Sequence, residues 1–589
     1  MLYSREEHYL FLEEELRAET EQFKQKLDMS ASYLLNEREE LFIAQFVKIE
    51  DGEMILKFSN SRGLPRKGEY LYCFTTPKHL HQYKEWGKIS YGDLIRAKGV
   101  ATEVVCIWQS PIHNDSKFCL VGFRGVDVDF AEHLLGHTGA FLILGPNVPP
   151  YQYISNLQSI VKHCRQTCVA TLLEGSIEEQ GVGHQPISLP NINVSDFIIG
   201  QLNLSDSIII QGPPGTGKTY QIASVCRKLC EQGNSVLVTA LTNRALMEIA
   251  AKEELQALLQ EGRIFKTKLS VDEAKELPKL CSVKHIAAEP GNIMLSTFYI
   301  ASGEAREVRF EAPFDYVIMD EASQALLGMF VAAKLLGKKC IVIGDTNQLP
   351  PVIAISKDRI ARRNYHLYVE GLASIEQISN SPTYRLIETY RLPQRAAEFT
   401  GLFYEGTLKS KVAHSHFVYS NIPAPFNVLF NPLGGPALLK TELPQENKKP
   451  IPAMLLAAML VSALFNQEEK VNVAVLTFYV DTAKALQKTI FQIVGAHNNL
   501  LVDTVARIQG LTTDVVIYVI PNTIYTFTLN RRVFNVATSR ARRHTIIISD
   551  VGIMCSLSSI DADVAKYLSA LDKASLYVPI TNTTQTLDI

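Results

Sequence analysis

The stretch Ile208-Ile209-Ile210-Gln211-Gly212-Pro213-Pro214-Gly215-Thr216-Gly217-Lys218-Thr219 decides the fold. An apolar run that breaks into glycines and then opens a helix is the setting of the phosphate-binding loop G-x-x-x-x-G-K-[ST]. The glycines let backbone N–H groups turn inward on phosphate oxygens, and the helix N-terminus adds its positive dipole end. Gly212, Pro213, Pro214, Gly215, Thr216 and Gly217 would cradle the phosphates. Lys218 would reach the β- and γ-phosphates, and the Thr219 hydroxyl would sit on Mg²⁺. The chain is therefore expected to bind a nucleoside triphosphate, with ATP and Mg²⁺ as the ligands.

Two further strands carry matching chemistry. Phe314-Asp315-Tyr316-Val317-Ile318-Met319-Asp320-Glu321-Ala322-Ser323-Gln324 is an apolar strand ending in paired acids. An Asp at such a strand end holds Mg²⁺ in phosphate-loop enzymes, which assigns Asp320 to the metal. Glu321 is then placed to orient and deprotonate the attacking water. Cys340–Ile343 runs into Gly344-Asp345-Thr346-Asn347-Gln348-Leu349-Pro350-Pro351, where Gln348 can sense a γ-phosphate from its own strand end.

These segments, Asp320-Glu321-Ala322-Ser323-Gln324 and Gly344-Asp345-x-x-Gln348-Leu349-x-Pro351 with the loop, resemble motifs I, II and III of superfamily 1 helicases. The similarity is to the 5′→3′ branch that includes the nonsense-mediated-decay helicase and its immunoglobulin-mu-binding relative. Val236–Asn243 resembles motif Ia, and Met294-Leu295-Ser296-Thr297 resembles motif Ic. Glu388-Thr389-Tyr390-Arg391, with Phe403-Tyr404-Glu405-Gly406, resembles the Tyr-Arg motif that opens a second motor domain. Val473–Tyr479 resembles motif IV, Val502–Val516 motif V, and Phe534–Arg542 motif VI. The resemblance implies an α/β fold with two RecA-like parallel-sheet motor domains and ATP in the cleft between them. It also implies that Arg391 and Arg540 are the arginine fingers, that Tyr390 stacks on adenine, and that Gln509 contributes to the nucleotide site. Thr242, Asn243, Thr297, Thr477 and Thr504, at strand ends, are the expected grips on a nucleic-acid backbone.

The departures from the pattern concern base and ribose. Asp196 falls where relatives carry an adenine-reading Gln, and a carboxylate accepts from the adenine amine but cannot donate to N7. Thr512 replaces the Glu of Gln-Gly-x-Glu in motif V, and Ala506 replaces an Asp three residues before Gln509.

Composition agrees with a multi-domain intracellular protein. The chain has 589 residues, 47% of them hydrophobic, and a formal net charge of −3. That charge excludes a global basic field, so nucleic acid would need a local groove. The ten cysteines form no CxxC pair, which argues for packing in a reducing compartment rather than zinc. The cytoplasm is expected, with the nucleus open. The longest apolar run, Ile451–Phe465, is shorter than the ~20 residues of a membrane span and reads as a core helix.

The N-terminal third has its own pattern. Residues 5–27 read as an amphipathic helix. Short strand-like runs with Asp-Gly and Arg-Gly turns fill 40–145 and predict a small β-barrel. Tyr151–His163 reads as a second helix. The expected division is stalk helices at 1–38, barrel at 39–148, stalk and linker at 149–183, a first motor domain at 184–352 with a helical insertion at about 252–291, a second motor domain at 353–565, and a C-terminal tail at 566–589, polar and disordered over Thr581–Thr586. Lys266 and Lys268, in the insertion, are candidates for a phosphate backbone. The function expected is an ATP-dependent helicase translocating on single-stranded DNA or RNA, as a monomer without membrane contact. The alternative is a nucleic-acid-stimulated ATPase that remodels protein–nucleic acid complexes without separating strands.

Overall fold

The computed structural model describes residues 2–579 except 60, 78–85, 113–114, 138, 178–185, 191–192, 414–415, 446, 496, 509, 523 and 525. Gln509 and the tail beyond 579 thus lie outside the described residues.

Two parallel sheets organise the molecule. The first has nine strands, in the order Cys281–Val283, Ile264–Thr267, Ile293–Thr297, Val236–Ala240, Phe314–Met319, Gly337–Gly344, Ser207–Gln211, Thr383–Leu386 and Ile187–Leu189. The second has six, in the order Leu500–Thr504, Val473–Thr477, Thr513–Val519, Ala541–Asp550, Gly435–Thr441 and Leu576–Tyr577. The central strands are continuous apolar runs because helices cover both faces. Ser207–Gln211, for example, is buried along its whole length. In both sheets the functional segments follow the carboxyl ends of the strands, where open α/β sheets place ligands. The apolar helix Ile451–Phe465 packs in the second sheet's core. No helix among the described residues is long and apolar enough to cross a membrane.

The N-terminal third holds a closed antiparallel barrel with strand order Phe42–Glu50, Glu53–Ser59, Asp115–Arg124, Ala101–Ile112, Tyr70–Thr75 and Phe141–Gly145. Its first hairpin turns at Asp51-Gly52, both at positive φ (55° and 80°). That is the two-residue turn whose twist matches the flanking strands. A helix at Arg5–Asp28, capped by the Ser4 hydroxyl accepting from the Glu7 N–H, packs along Tyr151–His163. Its middle is bonded to the first motor body. Glu15 accepts from the N–H groups of Ala354 (2.6 Å) and Ile355 (3.0 Å), and Glu14 pairs with Arg359 at 2.8 Å.

Two sequence expectations change. The segment 252–291 is only partly helical, at Gln256–Gln260 and Val271–Glu276; its strands Ile264–Thr267 and Cys281–Val283 extend the first sheet at its edge. Lys266 is consequently buried in a 3.0 Å ion pair with Glu273 and cannot meet a phosphate backbone. The first sheet also runs past the expected boundary at 352, because Thr383–Leu386 pairs with Ser207–Gln211 beside the phosphate loop.

Candidate active site

The loop has the backbone its sequence demands. Gly215 and Gly217 adopt φ of 74° and 79°, where only glycine is free of strain. A Cβ on Gly212 would collide with the Lys218 side chain, and one on Gly215 with Arg391. Lys218 heads the helix Lys218–Glu231, and its ammonium folds back onto the Gly212 carbonyl and, at 3.5 Å, that of Pro213. Burial lowers its pKa, opposed by Asp345 and Asp320. Thr219 follows on the same helix turn.

Asp320 is 6% exposed and accepts the Glu321 N–H at 2.8 Å. Burial raises its pKa, with Lys218 opposing. A buried carboxylate at a strand end, beside the lysine of the loop, suits a divalent cation that keeps phosphate and water ligands. Thr219 and Asp320 would hold Mg²⁺ there, where it would neutralise phosphate charge. Glu321, at φ 54°, is pushed up to about 7 by burial and by Asp320. The Thr242 hydroxyl donates to its Oε2 at 3.4 Å.

The segment expected to carry tyrosine and arginine is seated on the loop. The Thr389 hydroxyl donates to the Pro214 carbonyl at 2.9 Å, and the Tyr390 N–H to the Gly215 carbonyl at 2.8 Å. The Tyr390 ring is exposed, and Arg391 reaches the Ser539 carbonyl at 3.5 Å. Burial and the neighbouring Arg540 hold the Arg391 guanidinium down to about 9. Arg540 is 3% exposed, its Nε and Nη2 have no hydrogen-bond partner among the described residues, and burial lowers it to about 10. Three cations, Lys218, Arg391 and Arg540, thus converge on one glycine loop, and their charges act on one another. A buried guanidinium without acceptors is costly unless an anion completes it.

Gln348 donates to Asp345 at 2.9 Å, and Asp345 also accepts the Tyr404 hydroxyl at 2.7 Å. Around them the two motor bodies interlock. Asn535 donates to the Asn347 carbonyl (2.8 Å) and the Tyr404 oxygen (2.9 Å), Arg531 to Asn347 Oδ1 (2.9 Å), and Arg532 to the Thr346 carbonyl (3.1 Å). Sequence reasoning quoted Tyr404 and Asn535 within motifs but assigned them nothing. Their polar side chains inside apolar runs were the available signal.

The other expected site residues are placed as follows. Asp196 makes a 2.5 Å ion pair with Lys228. Lys228 lies ten residues beyond Lys218 on the same helix, about 15 Å along its axis at helical rise. In this structure the exposed carboxylate thus faces Lys228, in an ion pair of the weak surface kind. Among the proposed grips, Asn243 is exposed and Thr242 caps the helix Asn243–Ala250. Thr297, Thr477 and Thr504 are buried, and Thr477 is wholly inaccessible.

Two AAA domain models match the chain, over residues 198–354 and 370–552, and they fall on the two parallel-sheet bodies. Both bodies are thus similar to AAA domains, and the relatives that the chain matches are helicases. Over 167 residues it is 30% identical to the DNA replication ATP-dependent helicase/nuclease DNA2 of Saccharomyces cerevisiae, covering 28% of this chain and 11% of that one. The Homo sapiens DNA2 is 27% identical, covering 45% and 24%, and the ATP-dependent helicase upf1 of Schizosaccharomyces pombe is 27% identical, covering 41% and 30%. The chain thus spans less than a third of the length of these relatives. A crystal structure of Arterivirus nonstructural protein 10 (helicase) covers 85% of this chain and 77% of its own at 13% identity, with a TM-score of 0.34.

Proposed function

We propose that the chain is an ATP-dependent helicase that translocates 5′→3′ on single-stranded DNA or RNA and couples ATP hydrolysis in the interdomain cleft to strand unwinding. The convergence of Lys218, Arg391 and Arg540, whose Nε and Nη2 have no hydrogen-bond partner among the described residues, carries this reading. Arg540 comes from the second motor body and Lys218 from the first, so a bound γ-phosphate ties the bodies together. In this reading Lys218 cradles the β- and γ-phosphates, and Thr219 and Asp320 hold Mg²⁺. Glu321 takes the proton of the attacking water, Gln348 senses the γ-phosphate, and Tyr390 stacks on the base. The monomeric state and an intracellular site of action belong to the same proposal.

The test is unwinding of forked duplexes carrying a 5′ or a 3′ single-stranded tail, in DNA and in RNA, with ATP and Mg²⁺. ATP-dependent separation of the 5′-tailed forks alone supports the proposal. ATP hydrolysis stimulated by single strands without any strand separation would instead support a remodelling ATPase.

A further inference from the structure

The last residue before the phosphate loop is held at both ends of its side chain. Gln211 closes the strand Ser207–Gln211 and is 4% exposed. Its Nε2 donates to Glu376 at 2.6 Å, and its Oε1 accepts from Arg385 Nε at 3.0 Å. Arg385 is its register partner on the neighbouring parallel strand Thr383–Leu386, and it too is buried. Burial pushes the Glu376 carboxyl up to about 7, while the Gln211 amide and the Arg385 charge oppose that rise. With donor and acceptor both committed, the Gln211 amide has one orientation. That pins the strand end from which Gly212 starts the loop.

The other half of the same guanidinium faces the second motor body. Arg385 Nη1 donates to Glu405 Oε2 at 2.5 Å, and Nη2 to Oε1 at 3.5 Å. Glu405 follows the turn Leu402–Tyr404, whose Phe403 and Tyr404 are buried with the core of the second sheet. Its backbone sits at φ 52°, a conformation that glycine takes freely and a glutamate only at a cost. The Glu405 side chain is 60% exposed, so packing does not call for it. What it supplies is the acceptor for Arg385. Tyr404, one residue earlier, donates to Asp345 and accepts from Asn535, and Asp345 accepts from Gln348. Arg385 thus lies between the start of the phosphate loop and the turn that carries hydrogen bonds across the cleft.

We infer that Arg385 is a positioning residue that couples the nucleotide site to the second motor body, holding the phosphate loop through Gln211 and the Tyr404 turn through Glu405. This rests on the motor reading above and specifies one link by which ATP in the cleft acts on the second body. A guanidinium suits the place, because its planar fork serves three acceptors in fixed directions, as an ammonium does not. Coupling of this kind is a free energy shared by two sites, read as the factor by which one ligand alters the affinity for the other.

Fluorescence anisotropy of labelled oligo(dT) and oligo(U), without nucleotide and with Mg²⁺ and saturating adenylyl imidodiphosphate, a non-hydrolysable ATP analogue, measures that factor. In wild type the analogue should change the affinity for one of the two strands about tenfold. In Arg385→Gln and in Glu405→Gly the change should shrink to about twofold or less, with nucleotide-free affinity near that of wild type. Glu405→Gly should also unfold at no lower a temperature than wild type, since glycine is unstrained at that φ. Should Arg385→Gln fail to fold, Glu405→Gly decides alone. A factor as large as that of wild type in either folded variant would overturn the coupling role. So would a loss matched by an equal loss of nucleotide-free affinity. A wild type whose strand affinity ignores the analogue would overturn the motor reading itself, and the inference with it.

Discussion

At the scale of single residues, the site assigns chemistry to side chains by what each lacks. Glu321 stands beside the buried Asp320, held by a 3.4 Å bond from Thr242. Glu321→Gln should keep ATP binding and stop turnover, since an amide preserves the shape but accepts no proton from water. Near-normal hydrolysis in that variant would falsify the assignment. Arg540 has two unpartnered nitrogens in a buried setting. Arg540→Ala should lower kcat about a hundredfold or more, while strand affinity without nucleotide stays nearly the same. An equal loss of strand binding in the absence of nucleotide would show a backbone contact instead. Asp196, tied to Lys228, is expected to be silent in base choice. The ratio of kcat/KM for ATP to that for GTP should be the same in Asp196→Gln as in wild type, and a widened ratio would return the side chain to the base.

At the scale of elements, buried polar pairs and forced turns decide stability. Lys266, on the strand next to the sheet edge, is wholly buried against Glu273 and also donates to the Lys268 carbonyl at 3.2 Å. Glu273→Ala leaves that ammonium without its carboxylate, at an expected cost of about 3 kcal/mol. A Lys266→Met, Glu273→Leu double variant should recover most of this, as read from denaturant midpoints. An equally destabilised double variant would show that the pair is needed for more than mutual neutralisation. The insertion misread as helical illustrates a general ambiguity. Ile264–Thr267 and Cys281–Val283 are too short for their apolar period to separate strand from helix. Only the pairing of the first with Ile293–Thr297, and of the second with the first, fixed them. The barrel was legible because Asp51-Gly52 and the alternation around it are local signals.

At the scale of the whole molecule, the two motor bodies, the barrel and the Arg5–Asp28 helix meet through specific polar contacts. Asn535, Tyr404 and Asp345 form one hydrogen-bonded chain across the cleft. The Arg66–Asp503 pair joins the barrel to the second motor body. Arg66→Ala leaves Asp503 buried beside only the partly exposed Arg507. Distances between spin labels on the barrel and on the second motor body should then broaden and lengthen, with the distribution between the two motor bodies unchanged. A barrel distribution as narrow as wild type would mean that apolar contact, not the charge cluster, holds the barrel.

The sequence by itself determined the nucleotide chemistry. The phosphate loop, the Asp320-Glu321 strand end and the motif order are local patterns whose residue types have few alternative uses. The two parallel sheets were what the helicase resemblance of those motifs implied, and the barrel followed from its turns. What only the tertiary structure decided is which polar side chains face which partner. Thr297, Thr477 and Thr504 were buried, Asp196 turned to Lys228, and Lys266 turned inward to Glu273. These partners sit on different elements, 32 positions apart for Asp196 and Lys228 and seven for Lys266 and Glu273, and only the packing of those elements brings them together, which no local period encodes.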